Sequence, residues 1–214
     1  MYKAVIFDLD GTLLNTLDDI CNSMNFALGA FGLPGHTRDG YKYFVGNGVK
    51  VLVEKAVGPD HRDLYDKVAA LYEEGYQKNR TNTTYPYHGI PEMLTGLAKK
   101  GIPAAVLSNK PHIQTLYVIH QYFQNIVFSV IQGQTDGLPL KPDPAPALLI
   151  ASKLKIDPSD ILLAGDTQID ILCAQNAGMT SVGVTWGFRS ADELSQSGAK
   201  HIIHSPNELL ALFI

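Results

Sequence analysis

The chain has 214 residues, of which 45% are hydrophobic and 18% are charged, and its formal net charge is −4. This composition supports a folded core and excludes a disordered chain, and the mild acidity excludes a basic surface for nucleic acid or anionic membranes. No apolar run approaches the ~18 residues that a membrane span needs, and the N-terminal MYKAVIF does not resemble a signal peptide. We therefore expect a soluble, cytoplasmic protein in which Cys21 and Cys173 are reduced core residues.

The first predicted strand, residues 4–7, ends at a pair of aspartates. Asp8 and Asp10 are separated by one residue and are followed by Gly11 and Thr12. Two carboxylates 4 Å apart repel each other by roughly 4 kcal/mol at an effective dielectric constant near 20. Side chains two positions apart on an extended strand point in the same direction, so a nearby group must offset this repulsion.

A long interval separates this strand from the next predicted strand, which begins at residue 104. Within the interval, apolar residues recur at helical spacing in groups that begin at Leu17, Val49 and Leu64. These groups predict several helices with no strand among them. We therefore predict a helical insert over residues 16–84, which interrupts a core domain made of residues 1–15 and 85–214. Its return linker would lie within residues 81–89.

From Pro91 onward, short apolar runs alternate with segments of helical periodicity. The predicted strands are residues 104–107, 126–131, 161–164, 181–184 and 201–203. The predicted helices are residues 92–99, 112–122, 145–154, 168–177 and 207–213. This alternation predicts parallel strands joined by crossover helices, which is a doubly wound, Rossmann-like α/β fold with a mostly parallel sheet.

Ligands of open parallel sheets bind beyond the carboxyl ends of the strands, so the polar residues that follow each strand form the candidate site. They are Asp8 and Asp10 after the first strand, Ser108, Asn109 and Lys110 after the second, Lys141 in GLPLKPDPAP after the third, and Asp166 and Asp170 in GDTQID after the fourth. We expect these acids, the serine hydroxyl and at least one lysine to share one edge of the sheet.

These residue types suit phosphoryl transfer. Carboxylates such as Asp8, Asp10 and Asp166 suit Mg²⁺, which prefers oxygen ligands and would offset the repulsion among them. Asp170 lies four residues after Asp166, so both can lie on one face if a helix begins there. Lys141 can neutralise a transferring phosphoryl group. A carboxylate nucleophile with these partners describes a reaction through an aspartyl-phosphate.

The aspartate pair and the SNK segment have distinct roles in this hypothesis. Asp8 would attack phosphorus while Asp10 protonates the leaving oxygen, and Asp10 would then take a proton from the attacking water. The turn at Ser108 leads into a helix that begins near a proline, and such a turn offers a hydroxyl and backbone N–H groups to an anion. Lys110 either joins this site or is a surface residue at the start of the helix.

Four segments, FDLDGTLLNT, SNK, LKPDPAP and AGDTQIDILCAQNAG, resemble in order the four motifs of the haloacid dehalogenase-like hydrolases. The helical insert resembles the helical cap of that superfamily. YFVGNGVKVLVEKA and VGVTWGFRSADEL are similar to segments of the bacterial phosphoglycolate phosphatases. The resemblance covers essentially the whole chain.

This resemblance implies a role for each motif residue. It implies that Asp8 is the nucleophile and Asp10 the general acid and base. Mg²⁺ would be held near Asp8 by the main-chain carbonyl of Asp10 and by Asp166, with Asp170 assisting directly or through water. The implied phosphate-binding residues are Gly11, Thr12, Ser108, Asn109 and Lys141. The implied activity is hydrolysis of a small phosphorylated metabolite, with 2-phosphoglycolate as the expected substrate, by a monomer or a homodimer.

Other activities stay open from the sequence. A phosphosugar mutase similar to β-phosphoglucomutase, or a pyrophosphatase, would use the same scaffold. A phospho-accepting signalling domain also combines strand-end acids with Mg²⁺ and a lysine. It would store the acyl phosphate, however, and would need neither a large helical insert nor Asp10 as a catalytic acid.

Several other segments allow two interpretations. The Gly46-Asn47-Gly48 segment is either a turn that begins a helix at Val49 or a loop that closes over the site and offers backbone amides to the far end of the substrate. Lys42 and Lys50 either pair with a substrate carboxylate or are solvated. Trp186 and Phe188 either border the site or only pack. Asp143 is predicted to be the N-cap of a helix that begins at Pro144.

Overall fold

The computed structural model of the protein describes residues 1–213. The strands are β1 (Ala4–Phe7), β2 (Leu14–Asn15), β3 (Tyr85–Pro86), β4 (Ala104–Pro111), β5 (Val130–Gln134), β6 (Ile161–Gly165), β7 (Thr180–Val184) and β8 (His201–Ile203). The helices are α1 (Leu17–Ala30), α2 (Arg38–Lys42), α3 (Gly48–Val57), α4 (Tyr65–Asn79), α5 (Ile90–Lys99), α6 (His112–Tyr122), α7 (Ala145–Leu154), α8 (Gln168–Asn176) and α9 (Ala191–Gln196). Segments of 3₁₀-helix cover Pro59–Leu64, Pro158–Asp160 and Pro206–Phe213.

Within residues 1–213, six strands form a parallel sheet in the order β5-β4-β1-β6-β7-β8. Strand β1 lies at its centre, with Val5 opposite Ala104 of β4 and Leu162 of β6. The chain builds outward from β1 through β4 to β5 and then returns to β6 on the other side. The crevice for a ligand in such a sheet lies where the strand order reverses, which is at the carboxyl end of β1. The predicted doubly wound α/β fold is confirmed.

The apolar strand sequences explain why the centre of the sheet is rigid. Every residue of β1 and β6 is buried, as expected for parallel strands that are covered on both faces. Side chains alternate between the faces, so Val5 and Phe7 join one hydrophobic cluster while Ala4 and Ile6 join the other. The strand ends that carry the candidate residues are therefore held from both sides.

Helices α1 to α4 form the helical insert and have their own hydrophobic cluster. Its buried members include Met24, Leu28, Val53 and Tyr76, and Phe188 of the core also belongs to it. This cluster differs from the two clusters that flank the sheet. The arrangement agrees with a separate helical unit, and the domain boundaries at residues 15/16 and 84/85 stay a prediction.

Two segments connect the helical insert to the core, and they pair with each other. Strands β2 and β3 are antiparallel, with Leu14 opposite Pro86. The buried carboxylate of Asp19 accepts hydrogen bonds of 2.6–3.2 Å from the backbone N–H and hydroxyl groups of Thr83 and Thr84. The start of α1 is thereby fixed to the returning segment at the junction between the insert and the core.

Some predicted elements differ from the structure. The strand predicted at residues 126–131 is wrong at its start, because Ile126 and Phe128 pack on the core from a loop and β5 begins at Val130. The α-helix predicted at residues 207–213 is 3₁₀-helical. Helix α2 was not predicted from the sequence. It begins after Thr37, and the side chain of Thr37 accepts a hydrogen bond from the backbone N–H of Gly40.

The cysteines agree with the prediction that both are core residues. Cys21 and Cys173 are both buried and are not joined in a disulfide. Among residues 1–213, no helix has both the length and the apolar character that crossing a bilayer requires.

Candidate active site

The carboxyl ends of β1 and β6 bring three predicted acids together. The backbone N–H of Asp8 donates to the carbonyl of Ala164 at 2.9 Å, which extends the pairing of β1 and β6 by one residue. Asp166 follows β6 directly, and Asp170 lies in the first turn of α8. Carboxylate oxygens of Asp8, Asp166 and Asp170 lie within 4.8 Å of one another, and all three residues are buried. We call these three residues the carboxylate cluster.

Lys141 is the cation at the centre of this cluster. Its Nζ lies 2.6 Å from Asp8 Oδ1, 2.6 Å from Asp170 Oδ1 and 3.0 Å from the carbonyl oxygen of Leu107. The side chain is 2% exposed. Burial alone would lower the pKa of Lys141, but the two carboxylates outweigh this effect and raise it above its ordinary value. Lys141 is therefore charged, and it faces more than one negative partner.

The buried charge of the cluster shifts the pKa of its acids upward. Burial raises the pKa of Asp8 from 3.8 to about 7; Lys141 opposes the shift and Asp170 adds to it. The pKa of Asp166 lies well above its ordinary value, because burial and the charges of Asp8 and Asp170 all disfavour its ionised form. Three ionised carboxylates would exceed the single charge of Lys141, and the raised pKa values show that burial without a further cation disfavours that state.

Asp166 is the acid of the cluster that lacks a cationic partner. It is 0% exposed and accepts hydrogen bonds from Thr12 Oγ1 at 3.1 Å and from the backbone N–H of Phe188 at 2.7 Å. Within residues 1–213, no lysine, arginine or histidine forms an ion pair with it. Hard oxygen donors with excess negative charge are the set that a divalent cation such as Mg²⁺ prefers, so the cluster fits a metal site.

Glycines permit the close packing around Asp166. Gly11 has φ +96°, and a Cβ at this position would collide with the Asp166 carboxylate. A Cβ at Gly187 would collide with Asp166 and with the carbonyl of Gly11. Gly11 and Thr12, which were predicted to bind phosphate, thus lie in contact with Asp166. The packing of Gly187 against Asp166 was not predicted from the sequence.

Asp10 lies outside the carboxylate cluster and pairs with Lys110. Lys110 Nζ lies 3.0 Å from Asp10 Oδ1 and 2.9 Å from Asp10 Oδ2. The same ammonium group lies 4.8 Å from the centre of the Tyr76 ring in the helical insert, a distance at which the ring attracts a cation. Lys110, whose position was open from the sequence, is therefore a buried member of the site.

Asn109 connects three parts of the site. Its Nδ2 donates to the carbonyls of Gly46 at 2.9 Å and Lys141 at 3.0 Å, and its Oδ1 accepts from the backbone N–H of Lys141 at 2.8 Å. The amide therefore holds the Lys141 loop and the insert loop, while its contact with phosphate stays a prediction. Ser108 Oγ accepts a 3.2 Å hydrogen bond from the backbone N–H of Lys110, so its hydroxyl proton can donate to an anion.

Helix-start residues explain the positions of Asp170 and Asp143. Asp170 Oδ2 accepts from the backbone N–H and the hydroxyl of Thr167 at 3.1 and 2.8 Å, which forms a capping box at the start of α8. Asp170 thus both caps the helix and binds Lys141. The N-cap of α7 is Pro144, so the prediction for Asp143 is wrong by one position, although Asp143 accepts a 2.8 Å hydrogen bond from the backbone N–H of Ala145.

A cavity lies between the core and the helical insert. The core contributes Asp8, Asp10, Ser108, Asn109, Lys110, Pro111, Gln114, Lys141, Thr167, Asp170 and Phe188. The insert contributes Ile20, Val45, Gly46, Gly48, Val49, Leu52 and Tyr72. The predicted catalytic residues therefore share one cavity with apolar residues of the insert, an arrangement that is common in small-molecule sites.

The cavity also decides between the interpretations left open by the sequence. Phe188 borders the site, whereas Trp186 packs against the core and donates from Nε1 to the carbonyl of Thr12 at 2.9 Å. Gly46 and Gly48 line the cavity at the start of α3. Lys42 pairs with Asp39 at 2.8 Å, and among residues 1–213 the insert adds no lysine to the cavity wall.

Comparisons with known proteins agree with this geometry. The family model of the haloacid dehalogenase-like hydrolases matches residues 5–184. The phosphoglycolate phosphatase of Mannheimia succiniciproducens is 32% identical over 219 residues, which cover 99% of this chain and 98% of that protein. The phosphoglycolate phosphatase of Vibrio vulnificus strain YJ016 is 31% identical over 215 residues, which cover 97% and 94%.

A solved structure supports the same assignment. The crystal structure of a predicted phosphoglycolate phosphatase from Haemophilus somnus 129PT superposes with a TM-score of 0.93 at 30% identity, covering 100% of this chain and 98% of that one. The chain belongs to the haloacid dehalogenase-like hydrolase family. Within this family it lies in the phosphoglycolate phosphatase-like branch, and it is a phosphoric monoester hydrolase.

Proposed function

We propose that the protein is a Mg²⁺-dependent phosphatase that hydrolyses 2-phosphoglycolate through an aspartyl-phosphate on Asp8. The observation that carries this proposal is the carboxylate cluster beside Lys141, whose members Asp8 and Asp170 line one cavity with the Asp10–Lys110 pair. A nucleophile, a proton donor and two cations within one small cavity meet the needs of phosphoryl transfer, in which positioning and charge stabilisation dominate.

Asp8 begins the reaction in this proposal. A carboxylate oxygen of Asp8 attacks phosphorus, and the bond from phosphorus to the ester oxygen breaks. The leaving oxygen keeps the electron pair of that bond and receives a proton from Asp10. Lys141, at 2.6 Å from Asp8 Oδ1, stabilises the negative charge of the transferring group. Lys110 pairs with the carboxylate that Asp10 becomes after it gives up the proton.

The second step returns the enzyme to its starting state. Asp10 takes a proton from a water molecule, whose oxygen attacks phosphorus, and the bond from phosphorus to Asp8 breaks. The products are inorganic phosphate and the free Asp8 carboxylate. The helical insert would open to admit substrate and close to exclude bulk water, and the paired strands β2 and β3 provide its hinge.

The metal is proposed from the donor set of the site. Asp8, Asp166 and the main-chain carbonyl of Asp10 would hold Mg²⁺, with Asp170 assisting directly or through water. Bound there, Mg²⁺ supplies positive charge that lowers the repulsion between the nucleophile and the phosphate oxygens. Buried Asp166 has no cationic partner within residues 1–213, and this supports the assignment.

The substrate is proposed from the relatives and from the cavity. Relatives at 30–32% identity that span nearly the whole chain are phosphoglycolate phosphatases. The cavity brings charged residues of the core next to an apolar wall of the insert, as is typical of small-molecule sites. As predictions that accompany this function, the protein acts in the cytoplasm, as a monomer or a homodimer.

The test is a phosphate-release screen on metal-free protein, with and without added Mg²⁺. The panel contains 2-phosphoglycolate, p-nitrophenyl phosphate, glucose 1-phosphate and pyrophosphate. We expect the highest kcat/KM for 2-phosphoglycolate and no turnover until Mg²⁺ is restored. Conversion of glucose 1-phosphate to an isomer would instead indicate a mutase. A stable acyl phosphate without release of phosphate would indicate a signalling domain.

A further inference from the structure

Most polar side chains that line the cavity already have partners within the protein. Lys141 binds Asp8 and Asp170, and Lys110 binds Asp10. The amide of Asn109 and the hydroxyl of Thr167 are also hydrogen-bonded. These groups are committed to the phosphate end of the cavity and to its scaffold.

Tyr72 and Gln114 are different. Both line the cavity, and they are only 3% and 7% exposed. Within residues 1–213, the phenol of Tyr72 and the amide of Gln114 form no side-chain hydrogen bond with the protein, and their polar atoms are not among the fully buried ones that lack a partner. These polar atoms are therefore open to the cavity, where a ligand can bind them in place of water.

The two side chains reach the cavity from opposite sides. Tyr72 belongs to α4 of the helical insert and stacks on Tyr76 at 5.6 Å. Gln114 belongs to the first turns of α6 in the core. A group that binds both would therefore bridge the insert and the core. Tyr76 is not equivalent, since its hydroxyl is buried without a partner but the residue does not line the cavity.

The chemistry of this region suits one small anionic group. Tyr72 offers an O–H donor and Gln114 offers N–H donors, and both can bind a carboxylate. The neighbouring insert wall is apolar, formed by Val45, Val49 and Leu52. A sugar would need partners for several hydroxyl groups, whereas a carboxylate needs only a few donors, which a phenol and an amide supply.

We propose that Tyr72 and Gln114 form the specificity subsite that binds the carboxylate at the far end of the substrate. This inference rests on the proposed phosphatase function and defines its substrate class as short phosphate esters of hydroxy acids. It assigns no chemistry to either residue. Their role is to select the substrate and to hold the insert closed on it.

The test compares 2-phosphoglycolate with ethyl phosphate, which has the same number of carbon atoms and no carboxylate. The main variant is Gln114→Glu, which replaces a neutral donor with a negative group. We expect kcat/KM for 2-phosphoglycolate to fall about 100-fold, mainly through KM, and kcat/KM for ethyl phosphate to change less than about 3-fold. Tyr72→Phe should lower kcat/KM for 2-phosphoglycolate about 10-fold with the same selectivity.

Matched variants control for folding and for charge. Gln121→Glu makes the same change on an exposed position of α6 and should leave both substrates unaffected. If Gln114→Glu does not fold, Gln114→Met keeps the side-chain volume without the amide and should show the same selective loss.

Two results would overturn the inference, and they are distinguishable. Equal losses for both substrates in the Gln114 variants would mean that the amide only supports the fold, while the proposed function would stand. A wild-type enzyme that hydrolyses ethyl phosphate as well as 2-phosphoglycolate would reject the carboxylate subsite and the proposed substrate together, before any substitution is made.

Discussion

The two walls of the cavity are built from different kinds of residue. The core wall carries charged side chains, namely Asp8, Asp10, Lys110, Lys141 and Asp170. The wall from the helical insert carries apolar side chains, namely Ile20, Val45, Val49 and Leu52, together with Tyr72. This difference separates two tasks, because charges fixed on rigid strands can stabilise a reaction while an apolar wall excludes water and defines shape.

The walls also differ in how they are held. Strand β1 is paired on both sides and its residues are fully buried. The insert contacts the core at this site through a few hydrogen bonds, such as those from Asn109 to the carbonyl of Gly46 and from Arg189 to the carbonyl of Lys42. In the proposed opening of the insert, such contacts would break and reform. Substitutions in the core wall should therefore remove chemistry, whereas substitutions in the insert wall should change binding.

The largest effect is expected for Asp8→Asn. A carboxamide cannot form the acyl phosphate, so kcat should fall by about 10⁴-fold or more, while the circular dichroism spectrum should match that of the wild type. Asp143→Asn makes the same chemical change at an exposed helix start and should retain activity. Normal turnover by Asp8→Asn would disprove the aspartyl-phosphate.

The second prediction compares the two lysines of the core wall. Lys141 binds two buried carboxylates, so Lys141→Met should lower kcat about 10³-fold and destabilise the fold by about 3–5 kcal/mol. Lys110→Met removes the partner of Asp10 alone and should lower kcat about 10-fold. Steady-state kinetics and urea unfolding measure both effects. A larger kcat loss for Lys110→Met than for Lys141→Met would reverse the assignment of these cations.

The core wall was more predictable than the insert wall, for a physical reason. Asp8, Asp166 and Lys141 follow strands, and strand ends in a parallel sheet meet at one edge. Tyr72 and Gln114 lie within helical patterns, where a polar or aromatic residue on a partly apolar face is indistinguishable from an ordinary packing residue. Whether they line the cavity depends on how the insert packs against the core, and no local sequence pattern encodes that packing.

Contacts made by the backbone of the site could not be predicted from the sequence either. Phe188 acts on Asp166 through its N–H, and Gly187 matters because it has no Cβ, so neither role depends on a side-chain functional group. The position of Lys110 depended on whether β4 continued past Leu107. The strand extends to Pro111 with a shift in register, and this extension directs Lys110 toward Asp10.

The third prediction concerns the metal and pH. Burial raises the pKa of Asp8 from 3.8 to about 7 and raises that of Asp166 in the same direction. The metal-free folded protein therefore retains protons that the unfolded chain has lost above pH 4. This contribution to stability is present below about pH 4 and is lost as the pH rises through about 7, so the Tm of metal-free protein should be lower at pH 8 than at pH 5.

Added Mg²⁺ should act in the opposite direction, because it binds the ionised acids and competes with protons. At 100 times its Kd it would stabilise the protein by about 2.7 kcal/mol, or about 5–10 °C in Tm for a chain of this size. The shift should be larger at pH 8 than at pH 5 and absent in Asp166→Asn. Potassium chloride at equal ionic strength is the control, and an equal shift from it would disprove specific binding.

The smallest effect is expected in the insert wall, from Val49→Ala. Val49 lines the cavity and is half-buried, so loss of its two methyl groups should loosen the fit of the bound substrate and raise KM about 2–5-fold. The distances among Asp8, Lys141 and Asp170 do not depend on this side chain, so kcat should change less than about 2-fold. Val127→Ala, at a position that is 89% exposed, should change neither constant. A loss of kcat without a change in KM would mean that the apolar wall takes part in the chemical step, and the division of tasks between the two walls would then be wrong.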